Sequence, residues 1–153
     1  QMKTLKVGDK VPNFTALDQD GNSISLSDYK GKQLIVFFYP KAGTPGCTVE
    51  ACNLRDNYEL LLEKGYELVG VSADSQKRQA NFRTKYSFPF RLLADEDKNV
   101  IDIFGVWGPK KFMGREYDGI HRKTFIIDKK GIVTQVIDKV KTKSHTSQIL
   151  ENN

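Results

Sequence analysis

The 153-residue chain has few of the residues that staple a fold or bind a metal: two cysteines, two histidines, two methionines and one tryptophan. Two cysteines cannot frame a disulfide-stapled domain, and a chain of this length buries enough surface to do without one. Structural zinc wants four ligands. The only histidines, His121 and His145, lie far from either cysteine in sequence and read as surface residues, so neither metal nor cofactor is expected. Long apolar runs are missing too. The longest, Leu34 to Tyr39, has the length of a strand, which predicts no membrane span. No segment is dominated by charge of one sign. Lys and Arg total 24 against 19 Asp and Glu, but acids sit among most of the bases and no helix carries a basic stripe. That distribution argues against nucleic-acid binding. The start, "QMKTLKVGDKVPNF", lacks an apolar signal core and predicts a cytoplasmic protein, although a removed leader would leave no trace. Gln1, ahead of Met2, reads as a processing remnant. With no repeat, linker or exposed apolar stripe, residues 2–153 are expected to form one domain, monomeric or at most weakly dimeric.

What is present is an alternation of strand and helix signals. "PNFTALDQDGNSISLSDYKGK" predicts two short strands about an Asp-Gly turn, then a brief helical turn. "QLIVFFYP" is a continuous apolar run closed by Pro40, the pattern of a central strand buried on both faces. "CTVEACNLRDNYELLLEKG" predicts one long helix stopped by Gly65, and "YELVGVSAD" a second buried strand. A helix capped by Ser75, a strand in "FRLLAD" and a short helix ending at Gly105 follow. The stretch Gly105 to Gly119 reads as an irregular loop rich in glycine and aromatics. "IHRKTFIIDKKGIVTQVID" predicts a hairpin of alternating strands, and Ser144 a final helix. Strand, helix, strand at the heart of this order implies parallel neighbours joined by a crossover helix, so the class is α/β.

Both cysteines fall just after the central strand, in "PKAGTPGCTVEAC". Pro45 suits the first helical position, which makes Thr44 the N-cap and Cys47 the third helical residue. Unpaired N–H groups and the positive end of the helix dipole surround that position and favour thiolate over thiol. Cys47 is then expected to ionise below the free value of about 8.5. The alternative is a small buried hydrophobe, since cysteine is among the most buried residue types. Cys52 lies five residues on, which in a continuous helix separates the Cα atoms by roughly 8–9 Å, beyond the limit of about 7 Å for a disulfide. The pair is no Cys-x-x-Cys redox motif, which argues against a disulfide reductase.

The segment "YPKAGTPGCTVEAC" resembles the active-site stretch of the peroxiredoxins, with its Pro, three residues, Thr or Ser, two residues, Cys, here Pro40, Thr44 and Cys47. "GCTVEACNLRD", "FPFRLLADED", "GVWGPKKFMGREYDGIHRKTFIID" and "GDKVPNF" are similar to the Q subfamily, the bacterioferritin comigratory type. The resemblance implies a thioredoxin-like α/β fold, a central mixed sheet flanked by helices, with an extra N-terminal β-hairpin. It implies a thiol peroxidase acting on hydrogen peroxide and organic hydroperoxides, with Cys47 the peroxidatic nucleophile that becomes a sulfenic acid. Cys52 matches the resolving cysteine of one branch, closing an intramolecular disulfide that thioredoxin or a similar dithiol reduces. Arg122 in "HRKTF" matches the family's active-site arginine. Thr44 is expected to bond a peroxide oxygen, Pro40 and Pro45 to wall the pocket, and the Gly46 N–H to point at substrate. Trp107 is a candidate substrate contact from the Gly105–Gly119 stretch.

Overall fold

In the computed structural model, which describes residues 2–151, five strands form one mixed sheet in the order β5-β4-β3-β8-β9. They are β3 (Gln33–Phe38), β4 (Tyr66–Ser72), β5 (Arg91–Ala94), β8 (Lys123–Ile127) and β9 (Val133–Ile137). The first three run parallel, and β8 and β9 are antiparallel to their neighbours. The N-terminal hairpin pairs β1 (Thr15–Leu17) with β2 (Ser23–Ser25) about Gly21, whose φ of 81° suits the turn.

The central strand is buried on both sides, and its period-2 alternation divides the core. Leu34, Val36 and Phe38 enter one apolar cluster, with Val100, Ile101 and Phe104 of α4 (Asn99–Phe104). Ile35, Phe37 and Tyr39 enter the other, with Ala51 and Leu54 of α1 (Pro45–Asp56) and Phe82 of α3 (Gln76–Tyr86). Cys47 lies in this second cluster. Strand β8 sits between β3 and β9 and is buried at Thr124 to Ile127 rather than alternating with solvent. Its parity sends Phe125 and Ile127 into the first cluster and Ile126 into the second.

Three expectations need correction. The long helix is two: α1 ends at Asp56, and α2 (Tyr58–Glu63) starts beyond Asn57, whose φ of −113° leaves the helical range. The Asn57 side chain bonds back to the Asn53 carbonyl at 2.8 Å, competing with the helical ladder there. Next, the stretch Gly105 to Gly119 is mostly paired, with β6 (Trp107–Phe112) antiparallel to β7 (Arg115–Ile120). Its two-residue turn, Met113-Gly114, has positive φ at both positions, the geometry that suits a hairpin. Asn-Gly usually announces that turn. Finally, His145 is not a surface residue but is fully buried at the start of α5 (His145–Glu151). Ser144 ends the 3₁₀ turn Thr142–Ser144 that leads into this helix, whereas Ser75 does cap α3, its Oγ accepting from Arg78 N at 3.2 Å. No helix among the described residues is long and apolar enough to cross a membrane.

Helix α5 is fastened to the last turn of α1 by the Asn53 side chain. Asn53 Oδ1 accepts from the Thr146 N–H at 2.8 Å and its hydroxyl at 2.9 Å, while Nδ2 donates to the Lys143 carbonyl at 3.0 Å. Replacing Asn53 by Ala leaves the buried Thr146 N–H without its partner. We expect Asn53→Ala to lower unfolding free energy by about 1–3 kcal/mol in a urea titration, with little change in slope.

Candidate active site

Three pieces of chain converge at the end of β3. The first is the turn Lys41–Thr44, which needs Gly43 at φ 82° and is pinned by Asp74 beyond β4. Asp74 Oδ2 accepts from Ala42 N and from Ser72 Oγ, both at 2.7 Å. The second is the first turn of α1. Pro45 occupies its first position, Thr44 is the N-cap and Cys47 the third helical residue, as the spacing predicts. The ladder begins only at Thr48, whose N–H donates to the Thr44 carbonyl at 2.9 Å, so Gly46 and Cys47 lie in the turn whose amides point out of the helix.

The Thr44 side chain makes no cap bond. Its hydroxyl turns back and donates to the Lys41 carbonyl at 2.7 Å. With its hydrogen committed there, the oxygen can only accept from anything else that reaches it.

Arg122 arrives on the third piece, one residue before β8. Its parity matches Thr124 and Ile126, which aims it at the α1 side of the sheet. Nη2 donates to Cys47 Sγ at 3.4 Å and Nη1 to Glu50 Oε1 at 2.6 Å. The guanidinium therefore bridges two groups that are themselves buried, Cys47 at 2% and Glu50 at 0% exposure. Burial works against the Arg122 charge, but Cys47 and Glu50 outweigh it and raise its pKa. At Gly46 a Cβ would stand 3.2 Å from Nη2, so any larger residue there crowds the fork.

The structure brings together Gly46, Cys47 and Arg122, with Thr44 and Pro45 opening the same helix and Pro40 just past the end of β3. It places Trp107 elsewhere, packed against the first core cluster with Lys98 Nζ 4.3 Å from its ring centroid. Cys52 is half-buried farther along the unbroken α1, and both cysteines are free. Burial raises the Cys52 pKa, with Arg55 opposing.

Four residues of the site were not anticipated: Glu50, Asp74, Lys110 and His145. Lys110, on β6, donates to the Ile120 carbonyl at 2.8 Å, and its pKa is lowered by burial and by Arg122 while Cys47 acts oppositely. A signal for Glu50 did exist. Cys47, Glu50, Ala51 and Leu54 follow the i, i+3, i+4, i+7 pattern of one helical face, which places a carboxylate in an apolar stripe.

The sequence pattern of the AhpC/TSA family matches residues 7–136, so the chain belongs to that family. Peroxiredoxin Bcp of Escherichia coli (strain K12) is 48% identical over 149 residues, covering 97% of this chain and 96% of the relative. Peroxiredoxin Bcp of Bacillus subtilis (strain 168) is 43% identical over 97% of this chain and 94% of its own. Among solved structures, Xanthomonas campestris peroxiredoxin Q superposes with a TM-score of 0.85 at 33% identity, covering 91% of this chain and 88% of that one. A cysteine-to-serine variant of Xylella fastidiosa PrxQ gives 0.91 at 27% identity, over 98% and 96%. Within the family, these likenesses identify a peroxiredoxin of the Q, or bacterioferritin comigratory, type with a thioredoxin-like fold and thiol peroxidase activity.

Lysine at position 122 keeps the charge but cannot fork between Sγ and Oε1. Losing one charge-assisted bond of about 1.5–3 kcal/mol should slow alkylation of Cys47 by iodoacetamide about 10–100-fold in Arg122→Lys. Unchanged alkylation would remove Arg122 from the control of the thiol.

Proposed function

We propose that the chain reduces hydrogen peroxide and organic hydroperoxides through Cys47, with Cys52 as resolving thiol and a dithiol protein of the thioredoxin kind as reductant. The observation that carries this reading is the Arg122 Nη2 contact on Cys47 Sγ at the start of α1. The Cys47 thiolate attacks the terminal peroxide oxygen, the O–O bond breaks, and its electron pair leaves with the alkoxide or hydroxide. Sulfur gains the OH and becomes a sulfenic acid; the leaving oxygen takes a proton and departs as alcohol or water. Arg122 and the Gly46 and Cys47 N–H groups offer donors where that negative charge grows. Thr44 Oγ1, its own hydrogen committed to Lys41, accepts the peroxide O–H and so orients the terminal oxygen toward sulfur. Pro40 and Pro45 flank the thiol without adding an N–H that would draw water to it.

The Cys52 thiol then condenses with the sulfenic acid, expelling water and forming the disulfide, and two electrons from the reductant restore both thiols. Cys47→Ser should abolish peroxide consumption. Cys52→Ser should retain one stoichiometric oxidation, read by intact mass, while losing thioredoxin-coupled turnover. Full turnover by Cys47→Ser would sink the assignment.

The unbroken α1 holds the two Cα atoms about 8–9 Å apart, so the disulfide requires the first turn to open. Amide exchange on oxidation should accelerate from Cys47 to Cys52 and stay constant in the central strand, Leu34 to Phe38. Equal protection of the helix start in both forms would contradict this step.

A further inference from the structure

Glu50 has one oxygen that nothing so far employs. Oε1 is held by Arg122, whereas Oε2 is buried without a hydrogen-bond partner. A bare carboxylate oxygen in the interior is costly, and native structures rarely keep one without a use. His145 Nε2 lies 3.6 Å away, too far for a good hydrogen bond.

The state of that imidazole follows from its neighbours. Gln148 Oε1 accepts from the Lys141 N–H at 2.7 Å, and its Nε2 donates to the Lys139 carbonyl at 2.9 Å. A backbone donor and a backbone acceptor thus fix which end of the amide is oxygen. That oxygen meets His145 Nδ1 at 2.9 Å, so Nδ1 carries the hydrogen. Burial pushes His145 down to about 4, and at neutral pH its Nε2 is a lone pair, filled by the Thr124 hydroxyl at 2.7 Å. Nothing on the ring can therefore donate to Glu50 Oε2. If the carboxyl is ionised, that oxygen is a bare buried charge; if it is protonated, the cost falls to that of an unpaired hydroxyl, which is far smaller.

The charges around Glu50 point the same way. Cys47 lies on its own helix, Arg122 comes from the segment before β8, neutral His145 and Gln148 from α5, and Thr124 from β8. Lys110 on β6 senses Arg122 and Cys47. A thiolate at Cys47 and a carboxylate at Glu50 would both draw on the one guanidinium they touch. Burial, partly offset by Arg122, raises Glu50 to about 7, so the protonated acid is accessible from mildly acidic to neutral pH.

We infer that Glu50 Oε2 is the proton-holding site of the reduced enzyme, protonated when Cys47 is a thiolate, so that Arg122 serves one anion at a time. The inference rests on Cys47 being the reactive thiol. The exchange conserves atoms and charge: Cys47–SH with Glu50–COO⁻ becomes Cys47–S⁻ with Glu50–COOH. Above neutral pH the carboxyl ionises and competes with the thiolate for Arg122. Below it, the competitor is neutralised.

The test is a thiolate absorbance titration of Glu50→Gln in a Cys52→Ser background, where the signal belongs to Cys47 alone. Gln keeps an oxygen for Arg122 but can never be an anion. The thiolate-to-thiol ratio at a fixed near-neutral pH should rise about tenfold over the Cys52→Ser parent, because a like charge beside the thiolate has been removed. If Glu50 only positioned Arg122, weakening that contact would lower the ratio instead. A lower or unchanged ratio overturns the inference. Should Glu50→Gln fail to fold, infrared difference spectra of Cys47→Ser give the reciprocal reading. The carboxylic acid band of Glu50 should then vanish at lower pH than in the parent, because the competing anion is gone. A band unmoved by Cys47→Ser, or no such band in the parent at mildly acidic pH, likewise overturns it. Neither measurement uses peroxide, so a failure here is separate from a failure of the proposed peroxidase cycle.

Discussion

A single guanidinium held between a thiol and a carboxyl, both out of contact with solvent, is the interaction around which the site is arranged. A lone buried cation would be costly, and so would either buried anion. The 2.6 Å bond to Glu50 fixes the plane of Arg122, and that plane sets where Nη2 meets Cys47 Sγ. Arginine suits this place because it stays charged and offers parallel donors; a lysine ammonium would have to choose one partner.

The fold supplies the three corners of that arrangement by separate routes. Strand β3 ends at the turn that starts α1, which brings in Cys47 and, one turn later, Glu50. The antiparallel pairing of β3 with β8 brings in Arg122, because Phe38 lies opposite Lys123 and the next residue along belongs to the site. Helix α5 closes the back with His145. Cys47 and Arg122, 75 residues apart in sequence, thus meet near the ends of two regular elements. Such placement restricts the motion of each side chain without any cross-link.

The parts legible in the sequence were those governed by local rules. The unbroken apolar run in "QLIVFFYP" marks β3, Pro45 marks the start of α1, and Ser75 and Gly105 mark ends of helices because each satisfies a backbone need in place. The family pattern named Cys47, Thr44 and Arg122. What escaped depended on partners distant in the chain. His145 is polar in a polar segment, and only Thr124 and Gln148 explain why it is inside. Glu50 was hidden because a carboxylate on a helix is usually solvated, though its place in the Cys47–Ala51–Leu54 stripe argued otherwise. The β6–β7 ladder has mostly exposed residues on both faces and a Met-Gly turn, so neither alternation nor a familiar turn dipeptide announced it.

The Asn53 clamp has a kinetic consequence. It divides α1 into a first two turns that carry both cysteines and a last turn tied to α5 and to the core through Leu54. In the proposed cycle the cysteine-bearing part opens while the tied part stays helical. Closing again is then a matter of propagation, with residues added one hydrogen bond at a time to an existing end. The nucleation step, unfavourable by a factor of about 10⁻³ for a free peptide, is not repeated. Rewinding of this kind takes about a nanosecond per residue, which leaves the chemistry at sulfur, rather than the recoil of the helix, to set the pace of recovery.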